Sequence, residues 1–305
     1  MLAILILTYN EGLHLQRALE SAGKIAQQIF VIDSFSTDNT VEIAHAYGAA
    51  VLQHPFVNQA KQLQWALDNA PITTDWIMRL DADEVIEPDL ASEIAARLPS
   101  LPTDVVGINL RRKHIFMDRW IRYGGRYPLV MLRIWRRDRG RVEDRWMDEH
   151  IIAWGGRVVT FTGGFADHNL NDLTYFIDKH NRYATREALE VLNQRLHFVP
   201  QDRSLSAQGS SHHVAIKRFI KEQIYNRIPF QVSALGYFLY RYLLQRGFLD
   251  GKEGLIYHVL QGFWYRFLVG AKIEELNRAV AGIADPTAVR AELTRLTGLE
   301  LEPKA

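Results

Sequence analysis

Apolar runs alternate with helically spaced apolar positions through the first eighty or so residues. Leu2 to Thr8 is a continuous apolar run, which is typical of a strand buried on both faces of a parallel sheet. The shorter runs of this kind cover Ile29 to Ile32, Ala50 to Gln53 and Trp76 to Leu80. The helical segments between them begin near Leu15 and then cover residues 40–47 and 58–69. This alternation predicts βαβ units around a parallel sheet.

The rest of the chain changes character. Further strands are predicted at Leu129 to Trp135 and Val158 to Phe161, and a helix from Asn171 to about Gln194. Residues 198–211 are polar and rich in turn formers, which predicts a linker loop. The predicted organisation is therefore a domain over 1–197, a linker over 198–211 and an amphipathic helical region over 212–305.

Polar residues follow three of the predicted strands. Asn10 and Glu11 follow the first strand, Asp33 the second, and Asp81 and Asp83 the fourth. Ligands of parallel α/β sheets bind outside the carboxyl ends of the strands, so these side chains are expected at one edge. Two aspartates spaced i, i+2 in extended chain point to the same side and can share one cation or diphosphate. A solvated acidic loop is the alternative.

Composition narrows the function classes. The 305 residues are 48% hydrophobic and 23% charged, as in an ordinary globular protein. The net charge of +1 gives no argument for nucleic acid, and the lack of cysteine excludes disulfides, thiolate zinc sites and a cysteine nucleophile. No glycine-rich dinucleotide or P-loop motif follows the first strand, which disfavours those nucleotide-binding classes. We find no signal-peptide pattern and no run of about 18 uncharged apolar residues, so a cytoplasmic protein is expected.

Three motifs in order resemble family 2 glycosyltransferases of the GT-A fold. They are Thr8 to Glu11, Val31 to Asp38 and Leu80 to Glu84, within a similarity covering roughly residues 1–195. Within that family the chain most resembles bacterial envelope enzymes grouped with the lipopolysaccharide-core β-glucosyltransferases. The resemblance implies an α/β fold, with a Rossmann-like mixed sheet flanked by helices and a C-terminal helical region. It also implies inverting transfer of a sugar from a nucleotide diphosphate donor, with uridine diphosphate as the expected carrier.

The same resemblance assigns roles to residues at this edge of the sheet, the donor edge, where the nucleotide sugar would bind. Three residues would line the nucleoside pocket, namely Thr8, Asn10 and Glu11. Asp33 would contact the base and Asp81 the ribose or the metal. Asp83 would bind the Mn²⁺ or Mg²⁺ that bridges the diphosphate, and His168 is the third candidate ligand, although a lone histidine is commonly structural. Gly125 would lie near the donor sugar, unless its segment is an ordinary hairpin turn. Lys61 and Arg79 could offset phosphate charge or be ordinary cations of a helix and a strand.

The reaction chemistry asks for a metal and a base. A divalent ion can neutralise the charge that builds on the departing phosphate, and a carboxylate must take the proton of the acceptor hydroxyl. The segment Trp146 to His150 resembles the family's acidic motif, in which the last acid is the base. We therefore assign Glu149 as the base with Asp148 as second candidate, against the alternative of a surface acidic turn.

Basic and aromatic segments suggest the acceptor side. Arg111 to Trp120 is expected to be a loop that grips a phosphate-bearing acceptor, with Arg119 basic and Trp120 stacking on a sugar, or else a solvated cationic loop. The basic, aromatic helices between His212 and Lys272 suit the anionic cytoplasmic face of the inner membrane. Those helices could instead pack on the first domain or on a partner subunit. The expected acceptor is an envelope glycan or a lipid-linked glycan.

Two other functions compete with this interpretation. Asp81 to Val85 also fits the Asp-x-Asp-x-Val pattern of haloacid-dehalogenase-type phosphatases, in which Asp81 would be the nucleophile. That family places the motif on its first strand, whereas three predicted strands precede it here. A catalytically inactive nucleotide-sugar-binding membrane adaptor is the non-enzymatic alternative, and the presence of all the expected acids argues against it.

Overall fold

The computed structural model describes residues 1–143, 150–199 and 229–301. The chain divides into two compact units, Met1–Leu170 and Asn171–Ala305. The predicted helix after residue 171 therefore belongs to the second unit. The predicted boundaries at residues 197 and 212 stay a prediction.

The first unit is built on a mixed β-sheet. Its strands are β1 (Leu2–Thr8), β2 (Gln28–Asp33), β3 (Ala50–Gln53), β4 (Trp76–Asp81), β5 (Glu84–Ile86), β6 (Val105–Phe116), β7 (Arg119–Ile121), β8 (Leu129–Arg136) and β11 (Arg157–His168). Their order is β3-β2-β1-β4-β8-β6-β11-β5, with β7 paired to the end of β6. The first four strands are parallel, so their carboxyl ends meet at one edge. β9 (Gly140–Val142) and β10 (Ile151–Ala153) form a separate antiparallel pair.

Helices cover both faces of this sheet. They are α1 (Leu15–Ala22), α2 (Thr40–Ala46), α3 (Gln59–Asn69) and α4 (Pro88–Arg97). Ile4 and Ile6 of β1 pack with α1, α2 and α4, whereas Ala3 and Leu5 pack with α3 on the other face. Alternate side chains of β1 thus enter two cores, which explains its uninterrupted apolar sequence. The architecture confirms the predicted α/β class with a mixed sheet flanked by helices.

The predicted basic loop at Arg111 to Trp120 was wrong. Most of it belongs to β6, a strand between β8 and β11, and the rest forms a hairpin with β7. Met117 and Asp118 make the two-residue turn, with φ of 49° and 59°. Positive φ at both central positions is the geometry of a type I′ hairpin turn. The long-range pairing of β6 outweighs a charged sequence that has little strand character of its own.

The second unit is helical in its described part. Its helices are α5 (Leu173–Leu196), α6 (Phe230–Leu239), α7 (Gly251–Tyr257), α8 (Tyr265–Ala279) and α9 (Pro286–Thr297), with π-type segments at Tyr240–Leu244 and His258–Trp264. Leu192 of α5, Leu276 of α8 and Leu293 of α9 lie in one buried cluster. In the parts of the chain that the structure describes, no helix is long and apolar enough to cross a membrane.

Candidate active site at the carboxyl ends of the strands

Asp33 joins the ends of the first three strands. Its carboxylate is fully buried and accepts hydrogen bonds from Thr8 Oγ1 (3.1 Å), Gln53 Nε2 (3.2 Å) and both the backbone N–H and the hydroxyl of Ser36. These donors come from β1, β3 and the loop after β2. The observed contacts of Asp33 are therefore structural ones, and its expected contact with a nucleotide base stays a prediction.

Asn10 and Glu11 lock the loop after β1 to the loop after β2. Asn10 has a φ of 54°, which asparagine tolerates better than most residues, and its Oδ1 accepts the Thr37 N–H at 2.8 Å. The Asn10 N–H donates to Ser36 Oγ, and the Glu11 N–H donates to Thr40 Oγ1, each at 2.8 Å. Ser36 and Thr37 lie within the quoted motif Val31 to Asp38, but their contacts with Asn10 were not predicted.

A buried histidine positions Glu11. His14 Nε2 accepts the backbone N–H of Leu170 at 3.0 Å, so the ring proton lies on Nδ1. That Nδ1–H donates to Glu11 Oε2 at 2.7 Å. Glu11 therefore presents a fixed carboxylate beside the end of β1.

Asp81 and Glu84 share Arg133, and Arg79 also binds Asp81. Arg79 Nε donates to Asp81 Oδ1 at 2.9 Å, and Arg133 Nη2 donates to Glu84 Oε1 at 2.6 Å and to Asp81 Oδ2 at 3.3 Å. Glu84 Oε2 accepts the Asp81 N–H at 2.9 Å, which closes the turn after β4. Arg133 and Glu84 were missed by the sequence reasoning, because Arg133 is on β8 and no local pattern links the two positions.

Burial and the arginines shift these two carboxyl groups in opposite directions. Burial raises the pKa of Asp81, but the charges and hydrogen bonds of Arg79 and Arg133 more than offset it and hold that pKa well below its ordinary value. Burial raises the pKa of Glu84 to about 8, since the charge of Arg133 only partly opposes it and the charge of Asp81 adds to it. Asp81 is therefore the carboxylate that stays ionised throughout the physiological pH range.

Asp83 and His168 meet through strand pairing. β11 pairs with β5 in antiparallel register, with Asp167 opposite Glu84. As a result the His168 N–H donates to the Asp83 carbonyl at 2.9 Å, and Asn169 Nδ2 donates to Asp83 Oδ2 at 3.0 Å. The backbones of Asp83 and His168 are therefore hydrogen-bonded neighbours, and the predicted role of His168 as a metal ligand stays a prediction.

The His168 ring is held between two charged side chains. Arg17 Nη1 donates to His168 Nδ1 at 3.2 Å, and Arg17 Nη2 donates to the His168 carbonyl at 2.8 Å. Because Nδ1 accepts from a guanidinium, the ring proton lies on Nε2, which donates to Asp118 Oδ1 at 3.1 Å. Burial lowers the pKa of Arg17, and the charge of Asp83 opposes that shift. Arg17 and Asp118 thus orient His168, and no local pattern predicts this role for either residue.

The chemistry of these donors suits a hard cation, although they do not form a closed metal cage. Among the described residues no group of three or more histidine and acidic side chains is arranged to hold a metal ion, so Asp81, Asp83 and His168 are not assembled as a ligand set. Mg²⁺ is usually held by one or two carboxylates together with substrate phosphates rather than by protein ligands alone. A carboxylate at Asp83 beside a diphosphate fits that mode of binding.

A cavity adjoins the His168 side of this edge. It has a volume of about 380 Å³ and lies between α1, β5 and β11. Arg17, Lys24 and His168 line it together with Glu20 and Glu87. Its lining therefore carries both positive and negative charge.

Trp120 lies among basic side chains on β7. Lys113 Nζ is 5.1 Å and the Arg122 guanidinium carbon 5.3 Å from the centre of its ring, both within cation–π range. Tyr127 meets the same ring edge-on at 4.9 Å. Arg119 is exposed on the same short strand. The expected acceptor contacts of Trp120 and Arg119 stay predictions.

The remaining predicted residues are spread over the first unit. Lys61 is exposed in the first turn of α3, where its N–H is capped by Asn58. Gly125 has a φ of 70° in the turn before β8, a conformation that favours glycine. Asp148 and Glu149 lie outside the described residues, in the connection between β9 and β10. The roles of these four residues stay predictions.

Comparisons with known proteins agree with the motif order. The family model described as "Glycosyl transferase family 2" matches residues 3–192. An uncharacterized glycosyltransferase of Rickettsia bellii is 39% identical over 89 residues, which are 29% of this chain and 30% of that protein. One of Rickettsia typhi is 23% identical over 285 residues, covering 89% of this chain and 86% of that protein.

The first relatives match over only a part of their length. The chain spans about 30% of the Rickettsia bellii protein and 31% of a similar one from Rickettsia felis. Among solved structures, glucosyl-3-phosphoglycerate synthase from Mycobacterium tuberculosis, in complex with Mn²⁺, UDP and glucosyl-3-phosphoglycerate, is 19% identical. That match covers 37% of this chain and 44% of the other, with a TM-score of 0.31, which is too low to carry an argument.

Proposed function

Since this chain belongs to glycosyltransferase family 2, we propose that it moves a sugar from a UDP-sugar to a hydroxyl of a bacterial envelope glycan or lipid-linked glycan, with inversion at the anomeric carbon. The observation that carries this proposal is the donor edge, where the ends of β1, β2 and β4 bring Glu11, Asp33 and Asp81 to one side of the sheet. The mixed sheet flanked by helices agrees with the GT-A fold that the sequence motifs imply.

The acidic residues of this edge would contact different parts of the bound donor. Asp83, at the end of the turn after β4, would hold Mn²⁺ or Mg²⁺ with Asp81 or His168 close by. When bound, the ion would supply positive charge against the developing negative charge of the diphosphate. Arg79 and Arg133 keep Asp81 ionised and oriented, so that its carboxylate can accept a hydrogen bond from a ribose hydroxyl.

The transfer itself is a single displacement. The acceptor oxygen forms a bond to the anomeric carbon while the bond to the β-phosphate oxygen breaks, and the nucleoside diphosphate leaves with that electron pair. Glu149 takes the proton from the acceptor hydroxyl, with Asp148 as the second candidate.

The phosphatase alternative is disfavoured by the surroundings of Asp81. Both of its carboxylate oxygens accept hydrogen bonds from arginines. Hydrogen bonds from two guanidinium groups withdraw charge from both oxygens and make them weaker nucleophiles. In addition, the Asp-x-Asp motif follows the fourth strand of the sheet rather than the first.

Donor binding is tested by thermal shift with UDP and UDP-sugars, with and without Mn²⁺. We expect the metal and nucleotide together to raise the melting temperature, because a ligand that binds only the folded state stabilises it. Asp83→Asn should abolish the part of the rise in melting temperature that depends on Mn²⁺. Asp104→Asn is the matched control, since Asp104 is exposed and pairs with Arg157 on the surface. An equal Mn²⁺-dependent shift in Asp83→Asn would contradict the assignment.

The base is tested by turnover of the UDP-sugar that gives the largest shift. Glu149→Gln should lower kcat by about 10²–10⁴-fold, as expected for loss of a general base, and leave the thermal shift with UDP unchanged. If Asp148→Asn shows that loss instead, Asp148 is the base. Full activity in both variants would refute a carboxylate base in this segment.

A further inference from the structure

Helix α6 turns apolar side chains outward. Val232, Leu235, Leu239 and Leu243 are between 41% and 60% exposed, and they recur every three or four residues from α6 into the π-type segment after it. That spacing places them on one side of a helix. Ala234, on the opposite side, is fully buried. A surface helix normally has the reverse pattern, so this outward stripe calls for a partner.

The stripe continues into the turn after α6. Leu244 is 77% exposed, and Tyr240, Phe248 and Leu249 are each close to half exposed. We call these residues and the stripe the apolar ridge. It consists of Val232, Leu235, Leu239, Tyr240, Leu243, Leu244, Phe248 and Leu249. A contiguous apolar surface of this kind marks an interaction site rather than ordinary scattered exposure.

The charges exposed beside the ridge are mainly positive. Arg246 and Lys252 are exposed, whereas Asp250 in the same turn is buried. Arg241 is also buried, with its guanidinium carbon 5.5 Å from the Tyr237 ring centre. The aspartate of this segment is thus buried, whereas Arg246 in the turn and Lys252 in the first turn of α7 are exposed.

We propose that the apolar ridge docks on an anionic membrane surface, with its side chains at the boundary between headgroups and acyl chains. Apolar side chains flanked by basic ones are the combination that binds anionic lipid interfaces. In an isologous pairing of two copies, Arg246 and Lys252 of both chains would face the same interface, which charge repulsion disfavours. The proposal does not depend on the sugar-transfer chemistry.

The test is co-sedimentation of the full chain with vesicles, without any sugar donor. We expect binding to phosphatidylcholine vesicles that contain about one third phosphatidylglycerol and little binding to phosphatidylcholine alone. Leu244→Glu should reduce the partition coefficient at least about tenfold, since it replaces the most exposed ridge side chain with an anion. Leu296→Glu is the matched control, because Leu296 is 43% exposed on α9 and outside the ridge.

A second variant tests the charges separately. Arg246→Gln combined with Lys252→Gln should reduce binding to the anionic vesicles about 25-fold, at roughly fivefold for each basic residue near the surface. Both positions are exposed, so this variant is expected to fold, and thermal melting is the control for its folding. If Leu244→Glu proves unstable, the double variant still tests whether the ridge binds anionic vesicles.

Three results would overturn the proposal. The first is a wild-type chain that does not bind the anionic vesicles. The second is equal binding by the wild type and the folded variants. The third is a concentration-dependent dimer that Leu244→Glu dissociates without any vesicle binding, which would assign the ridge to a second copy. None of these readouts involves sugar transfer, so a failure here is distinct from a failure of the proposed function.

Discussion

Replacing Arg133 with methionine tests the charge network beneath the donor edge. The Arg133 side chain is 6% exposed and the Glu84 side chain 1%. Methionine keeps much of the side-chain volume but removes the hydrogen bonds to Glu84 at 2.6 Å and to Asp81 at 3.3 Å. Glu84 is then left buried without its cation.

The expected loss of stability is large. Removing one partner of a buried ion pair costs about 3–5 kcal/mol. For a unit of 170 residues, each kcal/mol lowers the melting temperature by about 2–4 °C, so a fall of roughly 6–20 °C is expected. The pKa of Glu84 is already raised to about 8, so protonation of its carboxylate offsets part of the lost stability near pH 7. We therefore expect a fall in melting temperature toward the smaller end of that range.

The assay is thermal melting at pH 7.5, with Arg157→Met as the matched control. Arg157 pairs with Asp104 at 2.7 Å, but the two side chains are 55% and 59% exposed. Exposed pairs contribute about 0–1 kcal/mol, so the control should melt close to the wild type. Combining Arg133→Met with Glu84→Met should recover most of the loss, because no carboxylate is then stranded. If Arg133→Met melts within the range of the control, the reasoning about the buried network is wrong.

Further predictions concern the first unit and α6. Folding raises the pKa of Glu84 from an ordinary 4.5 to about 8, so the stability that Glu84 contributes is present below pH 4.5 and is lost as pH rises to about 8. Glu84→Gln should therefore reduce the fall of the melting temperature over this pH range. Burial raises the pKa of Glu93, but hydrogen bonds from Gly163, Arg97 and Thr162 lower it overall. Its stabilisation is therefore present above the ordinary pKa and is lost as pH falls through the lowered pKa of the folded state. Glu93→Gln should cost about 1.5–3 kcal/mol at neutral pH in urea unfolding. Gly163→Ala should destabilise by about 1–3 kcal/mol, because its Cβ would lie 2.5 Å from Leu90 Cα. Gly236→Ala, with open space around its Cβ in α6, should instead raise the melting temperature slightly, and the opposite order would refute the packing argument.

The pattern of apolar residues located the four parallel strands of the first unit. The predicted bounds of β1 and β3 agree with the structure to the residue, and β4 is one residue longer than predicted. Such strands carry their own signal because every position is apolar or nearly so. β5 was missed, since it has three residues and is stabilised by pairing with β11, far along the chain.

The location of the candidate site could be predicted, but its contacts could not. The topology of parallel strands places Asn10, Asp33 and Asp81 at one edge, and this part follows from the sequence. The enclosure of Asp33 and the bonds from Arg133 to Asp81 depend on partners from other strands, and no local periodicity encodes those pairings. The side-chain contacts at this edge therefore depend on the three-dimensional fold and not on local sequence.

The turn between β6 and β7 limits how this sequence can change. Met117 and Asp118 both adopt left-handed φ, which costs a residue such as methionine about 1–2 kcal/mol, and Asn-Gly is the pair that such turns favour. Exchanging Asp118 for glycine would relax the hairpin but remove the carboxylate that accepts a hydrogen bond from His168 Nε2. A substitution at position 118 therefore has to satisfy the histidine that the turn reaches as well as the hairpin that contains it.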